Sequence, residues 1–148
     1  MKVLKIPLFF VAICLSSGLL YCGKDRNPVE TQMPMVPGKY LAYVQNHAQA
    51  MWIGTNSDSM GALMRRLVGT DQGSWIGGRV VPHMDYPYHF YFDPNTVLIA
   101  ELTAEGMQTT IQQIARAPEY FASHGWSNGL AQHAWYVWGH FLEYRNNE

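Results

Sequence analysis

From residue 40 onward the apolar positions switch between a period of two and a period near 3.6, and the switches divide the chain into strands and helices. Residues 40–45 alternate apolar and mixed side chains, which predicts a first strand. Residues 50–55 (AMWIGT) predict a second, with Gly54 read as a bulge or a strand end. The period then lengthens. Met60, Leu63, Met64 and Leu67 fall at i, i+3, i+4 and i+7, which makes one helical stripe. Asn56 and Ser57 can accept the unpaired amides of its first turn, and Asp58 suits its positive end. Arg65 and Arg66 suit the other end, and Gly69 supplies a left-handed stop. A helix over residues 57–68 follows.

Residues 75–81 (WIGGRVV) predict a strand in which Gly77 and Gly78 imply a bulge or close backbone approach. Residues 82–87 read as a loop. The densest aromatic run of the chain, YPYHFYFDPNTVLIAE over residues 86–101, comes next. Within it Phe90 and Phe92 point one way, while His89, Tyr91 and Asp93 point the other. Asp93-Pro94-Asn95 turns the chain into a strand over residues 97–102. Thr103 is the expected cap of a second helix with the stripe Met107, Ile111, Ile114 and Ala115, bounded by Pro118. Residues 120–132 read as a loop and residues 134–144 as a closing strand. That strand sets Trp135, Val137 and Phe141 against Tyr136, Trp138, Leu142 and Tyr144, so both of its faces should be covered.

From residue 50 the order is strand, helix, strand, strand, helix, strand, the split βαβ pattern. The expected fold is α+β: an antiparallel sheet with two helices on one face and an extra strand at residues 40–45.

The first 21 residues have a different pattern. Lys2 and Lys5 precede an apolar run over residues 6–15, and Ser16, Ser17 and Gly18 end it, as in an export signal peptide. The run falls short of the roughly 20 apolar residues that span a bilayer. Leu19-Leu20-Tyr21-Cys22-Gly23 resembles the lipobox of bacterial lipoproteins, with Tyr21 standing where a small residue is usual. The resemblance implies a lipid on Cys22 as the first mature residue. Residues 23–38, polar and carrying three prolines, then serve as a flexible tether. The expected organisation is a signal peptide over 1–21, anchor cysteine and tether over 22–38, and one globular domain over 39–148. An exported protein follows, held at the membrane of a bacterial cell envelope by its lipid, or else extracellular.

Composition narrows the function. A net charge of −1 and a pI near 6.6 provide no basic field for nucleic acid. Apolar residues make up 48 % of the chain, enough for a packed core. Cys14 and Cys22 both precede the domain, so no disulfide staples it.

Candidate chemistry clusters around residues 83–101, where His83, Asp85, His89, Asp93 and Glu101 could serve a hydrolase or metal-dependent enzyme. His133 and His140 lie farther on. Against that reading, no HExxH spacing and no Gly-x-Ser-x-Gly elbow is present. GTDQGSWIGG lacks both the phosphate-loop lysine and the dinucleotide glycine spacing. No metal or cofactor is assigned, and the balance lies against catalysis. Aromatic wealth favours binding instead. Tyr86, Tyr88, His89 and Tyr91, with Trp135 and Trp138 as further platform candidates, could hold a protein or carbohydrate ligand.

Short motifs add one resemblance. Gly78-Arg79-Val80-Val81, then Tyr88-His89 with Phe92-Asp93-Pro94, then Ala100-Glu101 resemble a family of small secreted domains labelled calmodulin-binding, also found as the leading domain of a cell-adhesion type protein. The family's later cysteines and its Trp-Cys-Pro-Trp segment are absent here. The resemblance implies a fold and a secreted location more than an activity. The function expected is that of a small envelope-associated or secreted binding module.

Overall fold

The alternating segments form strands because each has one side to bury, and the pairing gathers those sides into a single core. A computed structural model describes residues 35–147, all within one unit, Gln32–Glu148. The expected signal peptide, Cys22 and most of the expected tether lie outside the described residues. The elements are β1 (Tyr40–Asn46), β2 (Gln49–Thr55), α1 (Asp58–Leu67), β3 (Ser74–Pro82), β4 (Phe90–Phe92), β5 (Leu98–Ala100), β6 (Gln108–Thr109), α2 (Ile111–Arg116), α3 (Pro118–Ser123) and β7 (Ala134–Asn146).

Among the described residues this is an α+β fold, a seven-stranded and mostly antiparallel sheet with three short helices. The main path runs β2-β1-β7-β3-β4 with every neighbour antiparallel; β5 also pairs with β3, and β6 pairs parallel to β7. No described helix is long and apolar enough to cross a membrane.

Helix α1 forms as its local signals dictate. Ser57 Oγ accepts the Met60 amide, Asp58 lies in the first turn, and Arg65 and Arg66 lie in the last. Met64 and Leu67 are buried, Met60 and Leu63 partly so, and Arg65 and Arg66 are exposed. Gly69 takes φ +75° just beyond the helix.

Elsewhere tertiary pairing overrides the local reading. Thr103 caps nothing: residues 105–107 form a single 3-10 turn, and Gln108–Thr109 leave the helical path to pair with β7. Helix α2 begins instead at Thr110, whose hydroxyl accepts the Gln113 amide while Gln113 reaches back to the Thr110 amide. Pro118 bounds α2, which ends at Arg116, and helical structure then resumes at once. Pro118 opens α3, where a first-turn position needs no amide donor, and part of the expected loop is therefore helix.

Strand β7 also departs from simple alternation. Tyr43 pairs with Glu143 but Val44 pairs with Phe141, so Leu142 is the extra residue of a bulge. Beyond it the faces exchange. Tyr144 turns back towards the core beside Tyr40, their rings stacked at 6.4 Å, rather than sharing a face with Leu142. Leu142 and Trp138 are exposed, so only the first part of the strand is covered on both sides.

The core joins Val44, Met51 and Ile53 to Ile76, Val80, Phe90, Phe92, Val137 and Phe141, with Met64, Leu67, Ile111 and Ile114 from the helices. One polar group is built into it. Asn46, 2 % exposed, donates to the Trp138 carbonyl at 2.7 Å and accepts the Ile111 amide at 3.1 Å. It thereby ties the β1–β2 turn to β7 and to the start of α2 while leaving neither end of its amide unpaired.

Candidate functional site

The side chains of β1 and β2 that do not enter the core carry a second apolar surface. Tyr43 stands directly opposite Trp52, and their rings approach to 5.2 Å. Leu41 precedes Tyr43 on the same side, and Ala50 precedes Trp52. The bulge at Leu142 completes this surface. It sets Glu143 rather than Leu142 beside Tyr43 and brings Arg145 beside Leu41. Arg145 lies over the Trp52 ring at 4.5 Å and donates from Nε to Glu143 Oε1 at 2.8 Å. A cation over an indole contributes about 0.5–1 kcal/mol at an exposed site, so this stacking helps to hold the Trp52 ring in place.

A loop faces that surface. The His83 amide donates to the His89 carbonyl at 2.9 Å and closes residues 83–89 into a compact turn. Inside it Tyr88 and His89 take φ +64° and +62° in succession. Non-glycine residues in that region cost on the order of 1–3 kcal/mol each and persist only where the surroundings impose them. The conformation packs Tyr88 against the core. Tyr86 lies between His83 and Tyr91, with ring distances of 4.8 and 5.0 Å. Partial burial, with Tyr91 and Asp85 nearby, raises the Tyr86 phenol above its ordinary value, so it stays a neutral donor. Its hydroxyl donates to the Met35 carbonyl at 3.0 Å.

Between the loop and the strand surface lies a cleft of about 590 Å³, lined by Met35, Val36, Tyr43, Trp52, Tyr86 and Tyr88 among others. That volume falls in the range of small-ligand and side-chain pockets. The segment over Met35 and Val36 closes one end, because Pro37 and Gly38 cross β2 in contact with Gly54. A Cβ on Gly54 would overlap the Pro37 carbonyl. Close backbone approach, not a bulge, is the reason for glycine here.

Three of the four expected ligand-binding residues meet in this cleft: Tyr86, Tyr88 and Tyr91. His89 does not line it; its Nδ1 lies 3.1 Å from the Met84 carbonyl and its ring is exposed. Cys22 lies outside the described residues. Trp135 serves the fold, donating from Nε1 to the Phe121 and His124 carbonyls at 2.9 and 2.6 Å. Trp138 packs edge-on to Trp75 at 5.4 Å, away from the cleft lining.

The acid and histidine cluster does not assemble. Among the described residues no three His, Cys, Asp or Glu side chains form a group that could hold a metal. His83 and Asp85 approach only to 3.9 Å. Asp93 is engaged with Arg79 at 2.6 Å and with the Asn95 amide at 3.1 Å. Glu101 is exposed just beyond β5.

Leu41, Tyr43, Trp52, Glu143 and Arg145 were not singled out by sequence. Their one signal was bulky side chains at both parities of residues 40–45 and 50–55, which marks strands covered on both sides. Comparison with protein-family models, curated proteins and solved structures returns no match.

Proposed function

We propose that this chain is a small binding or interaction module, exported and held at the cell envelope by a lipid on Cys22 or released outside it, with the aromatic cleft as its ligand seat. The observation that carries the reading is the cleft itself. Tyr43, Trp52, Tyr86, Tyr88 and Tyr91 converge on about 590 Å³ of space, walled by a loop that holds two successive left-handed residues. Aromatic rings bury large areas at low entropic cost, which suits recognition of a protein segment or a carbohydrate. The same reading has α1 and α2 together on the core-lining side of the sheet, leaving the opposite surface of β1 and β2 for the ligand. It also carries forward the likeness to small secreted domains.

The test is a binding screen of peptides and oligosaccharides against the wild type, Trp52→Ala and Tyr86→Ala. A ligand should emerge whose affinity falls tenfold or more in both variants while the melting temperature stays within a few degrees. Unchanged binding in both variants would remove the cleft from the function.

A further inference from the structure

The cleft lies where the two ends of the sheet path come together, and main-chain geometry says what fits between them. The path β2-β1-β7-β3-β4 is antiparallel at each step, so β2 and β4, at its two ends, run in the same direction. They meet at their C-terminal ends, where the Asn56 amide donates to the Pro94 carbonyl at 3.0 Å. Towards their N-terminal ends they part around the cleft, with Ala50, Met51 and Trp52 on one wall and Pro87, Tyr88 and Phe90 on the other.

Both walls present main-chain groups. Strands β1 and β2 are joined by the two-residue turn His47-Ala48, so Asn46 and Gln49 flank it as a hydrogen-bonded pair. By the two-residue repeat, Gln49, Met51, Ile53 and Thr55 direct their amides and carbonyls at β1, while Ala50, Trp52 and Gly54 direct theirs away from it. Asn56 has the parity of Ala50 and Trp52, and its amide does point across the gap, to Pro94. On the far wall His89 and Asp93 bond to His83 and Arg79 on the β3 side. Phe90 and Phe92, of opposite parity, therefore direct their main-chain groups away from β3. Among the described residues β2 pairs only with β1, and β4 only with β3.

A seam with donors and acceptors along its walls, and aromatic side chains around it, is complementary to a polypeptide in extended form. Its charge is balanced, since the acid and base of the lining, Glu143 and Arg145, are already paired at 2.8 Å. The complement is an uncharged apolar segment. We infer that the cleft captures an extended apolar peptide segment as an added strand along β2, with alternate ligand side chains entering the cage of Trp52, Tyr86 and Tyr88. This inference rests on the reading of the cleft as the ligand seat.

The test pans the full chain against a display library of random linear peptides and, in parallel, an array of oligosaccharides. The tightest peptide is then resynthesised with one backbone amide N-methylated at a time. Strand addition predicts tenfold or greater losses at every second position and small effects between. Ala50→Pro, which removes an amide pointing into the seam and none used by β1, should abolish peptide binding with the melting temperature nearly kept. If that variant fails to fold, the methylation series on wild-type protein decides alone. Losses without alternation, or a library that yields no peptide, overturn strand addition. An oligosaccharide that binds and is lost on Trp52→Ala overturns it too but leaves the cleft as the seat. Peptide binding indifferent to both Trp52→Ala and Tyr86→Ala overturns both readings.

Discussion

The Tyr86 hydroxyl donates to the Met35 carbonyl at 3.0 Å and so ties the cleft loop to the segment that leads into the domain. Both partners are in the cleft lining, so one hydrogen bond sets the distance between two of its walls. Tyr86→Phe keeps the ring stacking and removes only the bond. Global stability should fall by about 1 kcal/mol or less, the usual worth of a partly solvated hydrogen bond. Amide hydrogen exchange in residues 35–38 should nevertheless accelerate severalfold. Exchange unchanged in that segment would mean that Pro37 and Gly38 alone hold it.

Gly54 and Pro37 provide a sharper steric test. A methyl group at residue 54 would overlap the Pro37 carbonyl and come within 2.9 Å of Leu41 Cδ2. Gly54→Ala should therefore cost about 1–3 kcal/mol, seen as a lower denaturation midpoint with the denaturant slope unchanged. A neutral substitution would show that the crossing of residues 37 and 38 over β2 is not fixed.

These two contacts also mark what the sequence could and could not disclose. Helix α1 was legible because its stripe, its Ser57 cap and its basic last turn are all local signals. Tyr86, Tyr88 and Tyr91 were legible as one cluster, which the cleft lining bears out, because they are dense in one short stretch. Trp52 and Arg145 were not, since 93 positions separate them and they meet only through the β1–β2 pairing and, with it, the β1–β7 register. That register depends on the bulge at Leu142, for which no local residue pattern speaks. Likewise Thr110 and Gln113 spell a capping box, but Thr103 stood before a longer apolar stripe and drew the helix start to itself. What overrode the stripe was the pairing of Gln108 and Thr109 with β7, a long-range contact.

At the entrance to α1, Asp58 accepts hydrogen bonds from the Tyr40 hydroxyl at 2.6 Å and from Lys39 Nζ at 3.2 Å. These bonds, that from Tyr40 foremost, hold the Asp58 carboxyl below its ordinary value. A carboxyl depressed on folding stabilises above its unfolded value, and the stabilisation is lost as pH falls through the folded value. The wild type should thus melt above Asp58→Asn near pH 6, and the gap should narrow as pH falls through and below the ordinary carboxylate range. A gap independent of pH would assign the effect to something other than the charge.

The anchor reading concerns Cys22 alone. Cys22→Ser should move the protein out of the membrane fraction or leave its signal peptide attached, because stable anchoring needs more than one acyl signal. Intact-mass measurement of the wild type should show a lipid on a mature terminus at residue 22. A wild type with a different mature terminus and no lipid mass would leave plain secretion.

The most direct test of the cleft as the ligand seat uses the five tryptophans as reporters. Trp52 lines the cleft, whereas Trp75, Trp126, Trp135 and Trp138 do not. With 5-fluorotryptophan incorporated and each ¹⁹F resonance assigned by a single Trp→Phe variant, the tightest ligand from the peptide and oligosaccharide screens is titrated in. The cleft reading predicts that the Trp52 resonance shifts and saturates while those of Trp75 and Trp138 stay in place. A saturating shift at Trp75 and Trp138, with Trp52 unmoved, would contradict it.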